Sequence, residues 1–200
     1  MPPGTRIIQE QIAQELGVSR QPVQQALLLL RNQGILLDAP GRGLLVAPLD
    51  PEHVRHMYDI RAVIEGLACR KAAEINSHQA KVKGPALIRA GRQALRNDSI
   101  SEMIAADIAF HGFIYSLSEN PLVAPTMETH WTYTHRVMGE VLMRDEQPQA
   151  IWNQHESMLE AIASGDAQQA EDLARQHISQ AANLMVERLR QPPSHSDVVV

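Results

Sequence analysis

The chain has few of the features that disulfide-stabilised or membrane-spanning proteins require. Its 200 residues contain one cysteine, Cys69, which excludes a disulfide within one chain and fits a reducing compartment. Aromatic residues make up only 4%, so aliphatic side chains, alanine and methionine must fill the core. No apolar run is long enough to cross a membrane, and no signal peptide is evident. We therefore expect a cytoplasmic globular protein without a membrane partner.

The chain also lacks an excess of positive charge. Its formal net charge is −5, and within residues 1–50 four arginines face four carboxylates. Because affinity for nucleic acid depends on clustered positive charge, one copy of this segment would attract phosphates only weakly. Two copies acting together would compensate for that weakness.

Residues 9–33 nevertheless carry the pattern of two short helices joined by a tight turn. Ile12, Ala13 and Leu16 form an apolar face at helical spacing, and Gly17 can end that helix in the left-handed conformation. Ser19 can cap the next helix, in which Pro22 occupies the first turn. The second apolar stripe consists of Val23, Ala26, Leu27 and Leu30. This arrangement predicts a helix-turn-helix whose second helix enters a DNA major groove.

A predicted β-hairpin follows the two helices. Gly34 ends the second helix, and the short apolar runs 35–37 and 44–46 flank a turn-forming segment, 38–43. Two helices followed by a hairpin predict a winged helix, with Arg42 at the tip of the wing and Gly41 and Gly43 shaping it. Ordinary helical hairpins show similar patterns, so this assignment alone does not establish DNA binding.

The remaining chain shows only helical patterns. Asp50 and Pro51 can cap and begin a helix, which predicts a domain boundary near residue 48. We predict helices over about 52–76, 85–97, 100–118, 121–145, 148–163 and 167–190, forming an antiparallel bundle. The expected organisation is a winged helix-turn-helix domain over 1–48, an all-helical domain over 49–191 and a disordered tail over 192–200. The fold class is mainly α.

A second group of polar residues points to a metal site in the helical part. Asp107 and His111 lie four residues apart, so both project from one face of a helix. His155 and His177 lie equally far from residue 166 in the predicted turn between the last two helices, which places them at the same height in an antiparallel pair. One carboxylate and three imidazoles suit a divalent transition metal: zinc first, with nickel or manganese as alternatives. The competing interpretation is that these histidines are structural or solvated.

The ordered motifs resemble a known family. PPG near the start, IAQELGVSRQPVQQAL, LLRNQGIL and GRGLLV are similar to the DNA-binding domain of GntR-type bacterial regulators. RAVIEGLACRKAA and the helical remainder resemble the FadR subgroup, whose all-helical effector domain is of the FCD type. The resemblance covers residues 2–190. It implies a homodimer that binds operator DNA, with repression as the commoner mode, and a metal held by Asp107, His111, His155 and His177.

The resemblance also implies what the metal does. In related domains it anchors a small organic acid through the acid's carboxylate. Arg61 is a further candidate for contacting that effector, although the spacing favours an ordinary ion pair with Glu65, four residues on. Gln24 stands where the family usually carries an arginine that reads DNA. The family also has an extra helix before the PPG motif, which this sequence does not contain.

The sequence therefore favours a ligand-responsive transcription factor rather than an enzyme. Ser19, Arg20, Gln21 and Gln24 are expected to face the major groove, and Arg42 the phosphates or the adjacent minor groove. Two alternatives remain at this point. One is a truncated metal- and ligand-binding dimer that does not bind DNA, and the other is a helical-bundle metalloenzyme.

Overall fold

The computed structural model describes residues 1–142 and 149–191. The N-terminal part contains short elements only. They are β1 (Arg6–Ile7), α1 (Gln9–Glu15), α2 (Arg20–Asn32), β2 (Leu36–Asp38) and β3 (Leu44–Val46). This is the predicted helix-turn-helix and wing, with one strand, β1, that the sequence pattern did not predict.

The three strands form one antiparallel sheet in the order β1-β3-β2. Leu36 pairs with Val46 across the hairpin, and Arg6 of β1 pairs with Leu45. Strand β1 has two residues, too few to show an alternating pattern. Gly41 and Gly43 adopt left-handed φ angles of 89° and 97° in the hairpin turn, as the wing required.

A small apolar core holds α1 and α2 against the sheet. Its buried members are Ala13, Val23, Leu27, Leu36 and Val46. Gly17, at φ 63°, makes the predicted turn between the helices. Two predictions for this core were wrong: Leu16 is 67% exposed and Ala26 is exposed, and neither packs in the buried cluster.

Five helices make up the rest of the described chain. They are α3 (Pro51–Arg96), α4 (Ile100–Leu117), α5 (Val123–Leu142), α6 (Gln149–Ser164) and α7 (Ala167–Arg190). The side chains of Asp50, Ser99 and Asp166 accept backbone N–H groups at the starts of α3, α4 and α7, and the cap at Asp50 was predicted. The predicted tail, 192–200, lies outside the described residues.

The largest difference from the predicted elements concerns α3. We predicted two separate helices over about 52–76 and 85–97, but one helix continues through Gly84 and Pro85. A Cβ on Gly84 would collide with the Leu159 side chain of α6, so this glycine permits close packing instead of ending a helix. The irregularity occurs at Asn76, where φ is −129° and ψ is 31°. The Asn76 amide donates to the Leu117 carbonyl at 2.9 Å, which ties the kink to the end of α4.

Helix α3 packs against α4, α6 and α7 around an apolar core, and α5 bridges this bundle to the N-terminal part. The Tyr133 hydroxyl of α5 accepts the Asp50 N–H at 3.0 Å, and the Arg136 guanidinium donates to the Ala47 carbonyl. Within residues 1–142 and 149–191, no helix combines the length and apolar character needed to cross a bilayer.

Candidate functional site

Asp107, His111, His155 and His177 come together inside the helical bundle. Asp107 and His111 project from consecutive turns of α4, while α6 contributes His155 and α7 contributes His177. The Nε2 atoms of His155 and His177 are 3.1 Å apart. One Asp107 oxygen lies 3.6 Å from His155 Nε2 and 3.8 Å from His111 Nε2. His155 and His177 therefore lie at the same height on α6 and α7, as the sequence predicted.

The spacing of these atoms fits a first coordination shell. Ligands bound to zinc at about 2.0–2.1 Å in a tetrahedron stand about 3.3 Å from one another. The observed separations bracket that value, and the three histidines each offer a ring nitrogen within 4.8 Å of the others. The Nε2 atom of His111 is buried and has no hydrogen-bond partner within the described residues. A donor set of this kind, with a buried ring nitrogen that lacks a hydrogen-bond partner, fits a dication.

Burial keeps two of the imidazoles neutral. It lowers the pKa of His155 well below the usual histidine value, and it lowers the pKa of His177 to about 3, with the nearby His111 acting in the same direction. Burial opposes the charge of His111 as well, but the Glu65 and Asp107 carboxylates outweigh it and raise the pKa of His111. Neutral imidazoles are the form that binds metals, so His155 and His177 are prepared for coordination.

Further side chains contact the cluster of Asp107, His111, His155 and His177 from outside. Glu65 Oε2 lies 2.6 Å from His111 Nδ1, and Glu65 Oε1 accepts from Arg61 Nε at 2.8 Å. Burial disfavours the charge on Glu65, yet Arg61 and His111 hold the pKa of this carboxyl well below its ordinary value. On the other side of the cluster, the His177 ring nitrogen Nδ1 lies 2.7 Å from Gln154 Oε1.

The predicted ion pair between Arg61 and Glu65 exists, and it is buried inside the bundle. Arg61 is 3% exposed and Glu65 1% exposed. The guanidinium lies 4.6 Å from the ring centroid of Tyr58 and 5.1 Å from that of Trp131 on α5. Sequence reasoning missed these contacts and the role of Glu65 beside His111, because spacing along one helix does not show what another helix covers.

A small cavity adjoins the cluster. It measures about 30 Å³, which is room for one or two water molecules. Its polar wall consists of Arg61, Asp107, His111 and His177, and its apolar wall includes Met138 and Met185. Arg61 and three of the four cluster members thus border a common space, whereas His155 does not line it.

The N-terminal part presents the residues predicted to contact DNA. Helix α2 begins at Arg20, and the predicted residues at its start and on the wing are all exposed: Ser19, Arg20, Gln21, Gln24, Gly41, Arg42 and Gly43. Ser19 holds the N-cap position, although its side chain makes no cap hydrogen bond. Arg20 forms an exposed ion pair with Glu10 at 3.0 Å. Such a pair contributes little energy, so Arg20 can exchange Glu10 for a phosphate or a base.

Comparison with known proteins agrees with both parts of the chain. Residues 1–46 match the model for bacterial regulatory proteins of the gntR family, and residues 56–180 match the FCD domain. The chain belongs to the GntR family of regulators that carry an FCD domain. Its relatives in this family are transcriptional regulators, not enzymes.

Two relatives illustrate the similarity. An uncharacterised HTH-type regulator of Streptomyces ambofaciens is 28% identical over 189 residues, covering 94% of this chain and 78% of its own. The HTH-type transcriptional repressor RspR of Escherichia coli is 24% identical over 192 residues, covering 96% of this chain and 84% of its own.

Solved structures show the same fold. Escherichia coli McbR/YncC superposes with a TM-score of 0.78 at 23% identity, covering 94% of this chain and 89% of the other. A GntR regulator from Rhodococcus sp. RHA1 superposes with a TM-score of 0.76 at 20% identity, covering 92% and 88%. The winged helix followed by a helical bundle is therefore the arrangement of this family.

Proposed function

We propose that this GntR-family regulator is a repressor whose affinity for operator DNA is controlled by a small organic acid bound at a metal site in its helical domain. The single observation that carries this proposal is the convergence of Asp107, His111, His155 and His177 inside the bundle. We assign DNA recognition to residues 1–48 and effector binding and dimerisation to residues 49–191. Repression is supported by the similarity to RspR.

The donor set favours zinc. Three imidazole nitrogens and one carboxylate oxygen make a set that zinc accepts readily, whereas the affinity order of divalent metals also permits nickel, and the carboxylate permits manganese. The spacings of 3.1 to 3.8 Å between neighbouring donor atoms fit any of these ions. The native metal is therefore a matter for metal analysis of the purified protein.

The charge of the site supports an anionic effector. Asp107 and Glu65 bring two carboxylates against the single guanidinium of Arg61, all within the buried cluster. A dication held by the four ligands would act as a Lewis acid and reverse the sign of the site, so that it attracts a carboxylate. Arg61 already borders the cavity, and its guanidinium can donate two parallel hydrogen bonds to a second acidic group of the effector.

The size of the cavity implies that effector binding moves side chains. About 30 Å³ is too small for an organic acid of several carbon atoms, so Met138, Met185 or α5 must shift to admit one. Tight packing makes such shifts discrete, since a filled interior does not deform continuously. Ligand entry is therefore coupled to a structural change in the bundle.

Helix α5 connects that change to the DNA-binding part. Trp131 lies over Arg61 and 5.9 Å, ring to ring, from His111. On the same helix, the Tyr133 hydroxyl and the Arg136 guanidinium contact the segment between β3 and α3. A displacement of α5 by the effector would thus reorient the winged helix and alter the spacing of two reading heads in a dimer.

We further propose a homodimer formed through the helical domain. Helix α3 exposes Ile60, Val63 and Leu67, which follow i, i+3, i+7 spacing and therefore lie along one stripe. Their exposures are 52%, 53% and 40%. Apolar stripes of this kind on a soluble helix indicate a partner surface.

Fluorescence anisotropy on the DNA upstream of the gene, against a scrambled duplex, tests the proposal. We expect specific binding at moderate salt by the zinc-loaded protein and a change in affinity when the matching carboxylic acid is added. A panel of mono-, di- and tricarboxylates would be screened. If no acid changes the affinity, effector control through this site is wrong.

The same titration decides between this proposal and a ligand-binding dimer that does not hold DNA. The exposed apolar side chains Leu16 and Leu29, at 67% and 63%, lie on the two helices of the DNA-binding part and favour that second candidate. Binding no tighter than to the scrambled duplex would support it. An N-terminally extended chain would then be assayed in the same way.

A further inference from the structure

In two histidines of the cluster, the ring nitrogen that faces away from the centre, Nδ1, contacts a side chain that is not itself a proposed ligand. His177 Nδ1 lies 2.7 Å from Gln154 Oε1. The Gln154 amide nitrogen donates to Gln180 Oε1, also at 2.7 Å. In this arrangement the Gln154 amide oxygen faces His177, and an amide oxygen can only accept a hydrogen bond. The proton of neutral His177 therefore resides on Nδ1.

The location of this proton decides what His177 can do. A neutral imidazole carries one N–H, so a proton on Nδ1 leaves a lone pair on Nε2. His177 Nε2 is the atom that lies 3.1 Å from His155 Nε2, in the centre of the cluster. On the opposite side, Glu65 Oε2 lies 2.6 Å from His111 Nδ1, an ion-pair contact whose negative charge favours a proton on that nitrogen.

We propose that Gln154 and Glu65 are positioning residues, which hold the Nδ1–H of His177 and His111 so that both Nε2 atoms are directed at the metal. This inference rests on the proposed metal site. Outer groups of this kind raise the basicity of the ligand nitrogen and fix the orientation of the ring. Neither Gln154 nor Glu65 is a ligand in the proposed first shell.

The two positioning residues differ in how they can be tested. Glu65 is buried and paired with Arg61, so its removal leaves an uncompensated buried charge and endangers folding. Gln154 is half-buried and borders a surface groove of about 260 Å³ between α6 and α7. Gln176 borders the same groove, is exposed, and makes no hydrogen bond to a clustered histidine within the described residues. Gln154 is therefore the test position, and Gln176 the matched control.

The experiment measures zinc affinity of the full chain by competition with a fluorescent chelator. We expect Gln154→Leu, which keeps the bulk but removes the acceptor, to weaken zinc binding by about 10- to 100-fold. Gln154→Glu restores an acceptor and should return the affinity to near that of the wild type. Gln176→Leu should leave it unchanged. Thermal unfolding of each metal-free variant verifies the fold.

The ¹⁵N chemical shifts of the histidine rings provide a readout that does not depend on any variant. In the metal-free wild-type protein, His177 should be protonated at Nδ1, and Gln154→Leu should lose that preference. Protonation of wild-type His177 at Nε2 would overturn the inference, as would wild-type zinc affinity in Gln154→Leu or an equal loss in Gln176→Leu. If the wild-type protein itself binds no zinc, the proposed metal site fails; if it binds zinc but Gln154→Leu binds equally well, only the positioning role fails.

Discussion

Replacing His155 by alanine tests the metal site most directly. His155 is completely buried, its ring stacks on Phe110 at 4.3 Å, and Trp152 lies edge-on to it at 4.8 Å. The substitution therefore has two separable effects. It leaves a cavity beside Phe110 in every condition, and it removes one metal ligand, which matters only when zinc is present.

The zinc-dependent effect has a calculable size. A ligand present at a hundred times its dissociation constant stabilises the folded state by about 2.7 kcal/mol. For a chain of this length, each kcal/mol moves the melting temperature by about 2–4 °C, so zinc should raise that of the wild-type protein by about 5–11 °C. The cavity lowers the melting temperature of His155→Ala with or without zinc, by the equivalent of about 2–5 kcal/mol.

The assay is calorimetry in excess zinc and in excess chelator, together with the metal content of the dialysed protein. We expect the zinc-dependent rise to vanish in His155→Ala and bound zinc to fall well below one per chain. His78→Ala, which removes an exposed histidine of α3, is the control and should retain both. One tightly bound metal per chain in His155→Ala, with the full thermal shift, would refute the ligand assignment.

Three further predictions concern other parts of the molecule. Tyr133→Phe removes the hydroxyl that accepts the Asp50 N–H. In anisotropy titrations without acid, operator affinity should stay within a few-fold of the wild-type value, while the change in affinity on adding acid should shrink. An undiminished response to acid would contradict the role of α5. Arg42→Ala should weaken DNA binding for all sequences alike. Over a potassium chloride series, it should reduce the slope of log affinity against log salt concentration by about 0.9. An unchanged slope would mean that Arg42 contacts no phosphate. Gly91→Ala places a methyl group against the Trp152 ring. The free energy of unfolding, measured from the urea midpoint, should fall by about 1–3 kcal/mol. An unchanged midpoint would show that α3 and α6 separate easily.

The local features of the fold could be predicted from the sequence because their causes are local. Asp50, Ser99 and Asp166 cap helices through backbone groups two or three residues away, so their chemistry is visible in a short window. The equal height of His155 and His177 followed from the same logic, since the turn near residue 166 lies midway between them and α6 and α7 pack side by side.

Features that depend on contacts between helices could not be predicted in this way. Gly84 and Pro85 carry the local signal of a break, yet α3 continues there because Leu159 of α6 packs against the glycine. Arg61 and Glu65 have the spacing of a solvated pair, but Tyr58 and Trp131 enclose the guanidinium.

By itself, the sequence determined the class of protein and the four residues that form the buried cluster. Helical periodicity, turn chemistry and the spacing of Asp107 and His111 depend on neighbours along the chain, so they can be deduced without a structure. Only the tertiary structure decided which nitrogen of His111 and of His177 faces inward. That depends on Glu65 from α3 and Gln154 from α6, whose distance from the rings is set by how the helices pack.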